Sequence, residues 1–180
     1  MKKAIYILSR GLFYTFTVFF CFVFIFSILA FVEHYLSWDI PFVNLYDNEG
    51  ASYAKISLPF IDFKVEFIFS FLIVLGMWIG LLFYVIYFYT LKEFFRVFIE
   101  DEVFNLKSLK RLKTFLYINL IPIVYALGLT LFQIIKNGQF KFEEDQGIAI
   151  FHLLVAFLVY LYMDLLKKGQ VIKQENDLTI

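Results

Sequence analysis

Few side chains in this chain of 180 residues are of types that do chemistry. Cys21 is the only cysteine, which excludes an intrachain disulfide, a CxxC redox pair and a cysteine-rich metal site. The two histidines, His34 and His152, lie far apart in the sequence. They lack the HExxH spacing that sets two imidazoles on one helical face around zinc. No GxSxG, P-loop or GxGxxG pattern occurs, so neither an activated serine nor a phosphate cradle is written in the chain. The sequence therefore predicts no catalytic residue, no cofactor and no metal, and a protein that is not an enzyme.

What remains is a short set of polar residues set within otherwise apolar runs: Asn119, Gln133, His152 and Asp164. Asn119 comes early in the third run and Asp164 late in the fourth, with Gln133 and His152 at the opposite ends. An up-and-down arrangement of those runs pairs Asn119 with Asp164 and Gln133 with His152. Such groups either hold helix to helix or mark a path for protons or ions.

The runs that must position them cover roughly 12–32, 67–91, 115–135 and 148–166. Of the 16 basic and 16 acidic residues in the chain, they contain Asp164 alone. With 62% hydrophobic and 18% charged residues, too little polar surface is left for a soluble domain. A bilayer core needs about 20 helical residues, which each run reaches or nearly reaches, and helices satisfy their own backbone polar groups in lipid. Lys2, Lys3 and Arg10 before the first run would also suit a cleaved leader. The uncharged stretch from Leu12 to Val32 is too long for one, and no small-x-small cleavage pattern follows, so a retained first span is expected.

Lys and Arg are unevenly placed: 12 of the 16 flank the runs at the N-terminus, between Lys92 and Lys113, and after the fourth run. The remaining four are Lys55, Lys64, Lys136 and Lys141. That bias puts the middle loop and both termini in the cytoplasm. The expected fold class is thus an all-α membrane protein, an antiparallel four-transmembrane-helix bundle forming a single membrane domain over 1–180. Its first outer loop, 33–66, carries a turn signal at Asp47-Asn48-Glu49-Gly50 and has room for a small hairpin. Gly76 and Gly80 form a GxxxG that would let another helix approach, either of the same chain or of a second copy in a homo-oligomer. The balanced charge excludes a basic nucleic-acid-binding domain, so the expected partners are the lipid bilayer and a protein.

Two cytoplasmic segments are the most informative. Leu91, Phe94, Phe95 and Phe98 continue the second helix past the headgroups. Asn105 then suits a helix N-cap, with Phe104 and Leu109 in the two positions of a hydrophobic staple. Leu106, Leu109 and Leu112 follow as an apolar stripe, opposite Lys107, Lys110, Arg111 and Lys113, which suit anionic lipid. In the tail, Gly169 is expected to end the fourth helix, leaving Val171, Ile172, Leu178 and Ile180 as apolar anchors beside Glu175 and Asp177. A tail that folds back onto the basic helix, acids against lysines, is the alternative.

The closing Glu175-Asn176-Asp177-Leu178-Thr179-Ile180, six residues after Gly169, resembles the C-terminal signature of a bacterial membrane-protein family catalogued as domain-of-unknown-function family 2975. The segment from Val103-Phe104-Asn105 through Leu109 and Leu112 is similar to its central cytoplasmic motif, and the likeness extends over the four spans. Asn105 stands where the family more often has Ser or Thr, a departure that keeps the capping chemistry. The resemblance implies a bacterial inner-membrane protein with both termini inside, no established activity, and an association with genes for small helix-turn-helix regulators. Two readings follow. One is a scaffold or sensor that docks a small soluble partner through Phe104, Asn105, Leu109, Leu112, Gly169, Glu175, Asp177 and Leu178. The other is an oligomeric small transporter or channel subunit using Asn119, Asp164, Gln133 and His152.

Overall fold

The computed structural model describes residues 1–48, 50–58, 63–100, 105–139, 142 and 144–177. Its elements run α1 (Lys2–Leu36), β1 (Val43–Asn48), β2 (Ala51–Leu58), β3 (Phe63–Ile68), α2 (Phe71–Arg96), α3 (Leu106–Asn137) and α4 (Glu144–Asp177). All four helices are long and apolar enough to cross a membrane. The most apolar stretch of α2 is only 11% buried. A soluble protein would spend such residues on a core, whereas lipid solvates them on every side.

The described residues form two compact units. In the unit covering 11–86, β1, β2 and β3 make an antiparallel sheet in that order. The register places Val43 opposite Ile56 and Ile56 opposite Val65, while Leu45 faces Ala54 and Ala54 faces Phe67. Period-two alternation therefore puts these six residues on one face. Val43 and Ala54 join Ala30 of α1 in a small core to which Phe26, Leu29 and Phe67 also pack. Across the other face, Tyr46 stacks on Tyr53 at 5.7 Å and donates its hydroxyl to Glu66. That hydrogen bond holds the Tyr46 phenol up to about 12. Residues 67–70, expected to open the second span, do not belong to α2. Phe67 and Ile68 end β3, because Lys64, Glu66 and Ile68 alternate with Val65 and Phe67 as a half-covered strand requires.

Deeper in this unit, Trp78 Nε1 of α2 donates to Ser27 Oγ of α1 at 2.7 Å, and Ser27 donates to the Phe24 carbonyl at 3.0 Å. The Trp78 ring lies 4.7 Å from that of Phe24. Gly76 and Gly80 take no part in such packing. A Cβ at either would meet nothing within 4 Å, so the close helix approach expected of the GxxxG within the chain is not made among the described residues.

The second unit, 1–10 with 87–180, is dominated by the pairing of α3 with α4. The two run antiparallel: Asn119 meets His152, and farther along α3 Thr130 meets Gln146. α3 begins at the cap Asn105, whose side chain accepts from Ser108 N at 2.7 Å. It passes through Pro122 and ends at Gly138, whose φ of 68° lets its N–H reach the Ile134 carbonyl. α4, by contrast, does not stop at Gly169 but runs on to Asp177. A glycine costs about 1 kcal/mol in a helix interior, and the flanking Lys168, Gln170 and Lys173 are good helix formers, so the run continues.

Candidate functional site

The first candidate place lies between α3 and α4. Ser108, Leu112, Phe115, Asn119 and Ala126 are the buried residues of α3, a stripe that follows the helical period. The expected stripe of Leu106, Leu109 and Leu112 is not the buried one. A spacing of three drifts by about 60° per step around a helix, so Leu106 is 83% exposed while Leu112 is fully buried. Phe115 packs against Tyr87 and Phe94 at 5.6 and 5.0 Å, and His152 meets the Tyr87 ring edge-on at 5.2 Å. In that aromatic setting Asn119 Nδ2 donates to the Phe115 carbonyl at 2.8 Å, which turns its Oδ1 towards His152 Nδ1, 2.9 Å away. The network assigns the proton to Nδ1, since an amide oxygen only accepts.

This pairing differs from the expected one. With Asn119 level with His152, Asp164 falls level with the first turns of α3, about 18 Å along the helix axis. Asp164 instead pairs with Lys168 one turn on, at 2.9 Å, and both are largely exposed. Gln133 lies 14 residues beyond Asn119, its Oε1 buried without a hydrogen-bond partner among the described residues. The expected pairs took the apolar run 115–135 as the depth scale, but α3 starts nine residues earlier, at Leu106. Asn119 and His152 therefore meet at one depth, between Asp164 and the start of α4 at Glu144. These limits stand 20 residues apart, about 30 Å or one bilayer core.

The second place is the corner where α2 ends and α3 begins. Glu93 and Arg96 on the last turns of α2 and Glu100 in the turn just past it recur at spacings of three and four. Arg111 reaches both acids: its Nε lies 3.0 Å from Glu93 and its Nη1 2.7 Å from both oxygens of Glu100. Arg96 lies 3.3 Å from Glu100 and 3.7 Å from Glu93. The hydrogen bond from Arg111 holds the Glu100 carboxyl below the usual carboxylate range. Beside this cluster is a cleft of about 490 Å³ whose lining includes Arg96, Lys107, Lys110, Arg111 and Thr114. Sequence reasoning placed Lys107, Lys110 and Arg111 against lipid and missed the cluster, although the Glu93-Arg96-Glu100 spacing was a signal for it.

The third place is the end of α4. The Asn119–His152 register puts α4 beyond the first residue of α3 from about residue 166, and as far as Asp177 it continues as a helix and does not fold back onto the basic helix. Val171 and Ile172 are 53% and 58% exposed there. Glu175 is exposed as well, on the same helical extension. Of the other residues expected to dock a partner, Asn105 serves as the cap, Leu109 is half-buried and Gly169 is helical, while Leu112 is too buried to offer a surface. Phe104, Leu178 and the Asp177 side chain lie outside what is described.

A sequence model of proteins of unknown function, DUF2975, matches residues 43–180, well over half of the chain. The chain belongs to that family. The match takes in the sheet, α2, α3, α4 and the sequence of both cytoplasmic motifs, while the whole of α1 precedes it; the DUF2975 likeness is thus carried by three helices rather than four. It also includes most of the long outer loop. No curated protein and no solved structure matches this DUF2975 chain.

Proposed function

We propose that this protein is a multi-pass component of the bacterial inner membrane, with both termini in the cytoplasm, that acts without catalysis. It is a scaffold or sensor whose inner face docks a small soluble protein such as a helix-turn-helix regulator. The observation that carries this reading is the end of α4. About twelve residues, roughly 18 Å of helix, continue past the start of α3 and present Val171 and Ile172 to solvent between charged residues. An apolar pair at adjacent positions on an exposed helix is the kind of anchor that a groove on a partner takes. The basic bias of the inner segments supports the orientation.

The transporter or channel reading fits less well. Its four polar residues occupy three separate depths, and Asp164 is tied to Lys168 at the helix surface. The docking reading is tested by photocrosslinking from Val171 and Ile172 in membranes containing the full chain, with identification of the product. Crosslinks to one small soluble protein, lost on deletion of 170–180, are expected. If that deletion changes neither partner recovery in a pull-down nor protein abundance, docking through the tail is wrong.

A further inference from the structure

The cleft at the α2–α3 corner has a charge imbalance that the docking reading does not use. Its lining carries four cations, Arg96, Lys107, Lys110 and Arg111, against one acid, Glu93. The two arginines are committed to Glu93 and Glu100. Lys107 and Lys110 have no carboxylate paired with them among the described residues, although Glu100 feels the charge of Lys107. The lining hydroxyls are occupied: Thr90 donates to the Tyr87 carbonyl and Thr114 to that of Lys110. Among the described residues the two ammonium groups are thus the ones left to meet an anion.

The surface below the cleft is of opposite character. Lys107, Lys110, Thr114, Tyr117 and Ile121 follow one another at helical spacing along a single stripe of α3. Tyr117 is 54% and Ile121 50% exposed, so the stripe passes from paired cations to bare apolar side chains within about three turns. Lys113 lies 5.7 Å over the Tyr117 ring, a long side chain placed along that boundary. A cationic recess that opens onto an apolar helix face matches a molecule with a charged head and an apolar body.

We infer that the cleft between the end of α2 and the start of α3 is a binding site for an anionic phospholipid, with its phosphate at Lys107 and Lys110 and its acyl chains along Thr114, Tyr117 and Ile121. Arg111 does not ligate the phosphate. It is the positioning residue, holding Glu93 and Glu100 away from the two lysines. The volume, about 490 Å³, is in the range of small-molecule sites and suits a headgroup with its glycerol. Because the observations of α4 play no part, this inference and tail docking succeed or fail separately.

Native mass spectrometry of the full chain, released from detergent with added phosphatidylglycerol, phosphatidylcholine or inorganic phosphate, tests it. Retained phosphatidylglycerol with little phosphatidylcholine is expected. Lys107→Gln with Lys110→Gln should weaken that retention roughly 30-fold. Lys107→Arg with Lys110→Arg, the double Arg variant, should preserve it, and Lys136→Gln at the far end of α3 should leave it unchanged. A melting curve in detergent establishes that each variant is folded, and the double Arg protein carries the test if the double Gln protein is not: lipid selectivity lost in a folded double Arg variant overturns the inference. So does equal retention of both lipids, equal weakening by Lys136→Gln, or displacement of the lipid by millimolar inorganic phosphate, which would assign the recess to a free anion.

Discussion

Asn119–His152 and the Arg111 cluster are both polar, both built on α3, and separated by only eight residues, yet they are made from opposite materials. The first is neutral: an amide and an imidazole, 0% and 3% exposed, joined by one hydrogen bond. The second is ionic, with two arginines and two glutamates whose side chains keep 11–44% of their exposure. The difference follows from desolvation. A charge moved to where Asn119 sits would lose its water with too few partners to replace it, whereas one turn or two nearer the helix start water still reaches the group. Polar chemistry along α3 is thus graded by depth.

The comparison breaks most completely at the residue that supports both places. Phe115 is 1% exposed, gives its carbonyl to Asn119, and packs its ring on Tyr87 and Phe94, the stretch of α2 that also carries Glu93. Phe115→Ala should cost about 3 kcal/mol, seen as the largest fall in detergent melting temperature of any variant here. A fall no larger than that of a surface substitution would mean that the two places do not share this support.

Next in size is Arg111→Met. It leaves Glu93 and Glu100 facing each other without their main donor, at about 2 kcal/mol, less than a fully buried pair because Glu100 keeps 26% exposure. The effect has a pH signature. Since Arg111 lowers the Glu100 pKa in the folded protein, the stabilisation is fully present above the ordinary glutamate value and is lost as pH falls through the lowered one. Wild type should therefore lose more stability than Arg111→Met on acidification from about pH 5 to 3. Parallel curves for the two proteins would remove the ion cluster from the account.

How much of this was legible in the sequence follows the same division. Apolar runs nearly free of charge announced four helices long enough to cross a membrane, and Asn105 announced the start of α3, because length, composition and capping are local properties. Which polar residue meets which was not legible. The level of Asn119 against His152 depends on the connection from 138 to 143 and on the aromatic packing of Phe115, neither of which has a pattern in the chain. Phe67 and Ile68 show the same limit: a continuous apolar run hid the change from period two to period 3.6 at Ser70. The Ser27–Trp78 bond was missed for a related reason, as both residues read as unremarkable members of a span.

The neutral pair itself can be measured by a double-mutant cycle. Asn119→Ala and His152→Ala should each destabilise, with a coupling of about 0.6–1.7 kcal/mol, the range of interhelical hydrogen bonds in membrane proteins. Additive losses would show that the two side chains do not meet. The same cycle run on Asn119 and Asp164, which the structure places about 18 Å apart along the axis, should give no coupling.

Asp164→Asn gives the smallest effect, and its smallness is informative. The carboxylate pairs with Lys168 one turn away, with side chains 50% and 69% exposed, and water and salt screen exposed pairs of this spacing so that they contribute little. Little change in melting temperature is therefore expected. A role as the acid of a proton or ion path would instead require Asp164 to sit where its charge matters, and its neutral amide would then abolish flux in proteoliposomes while leaving stability intact. Depth along α4 decides between these outcomes. Asp164 lies twelve residues from His152, so the one acid of the apolar run 148–166 sits near the end of that run and the neutral pair in its apolar middle, an order that suits helix association better than conduction.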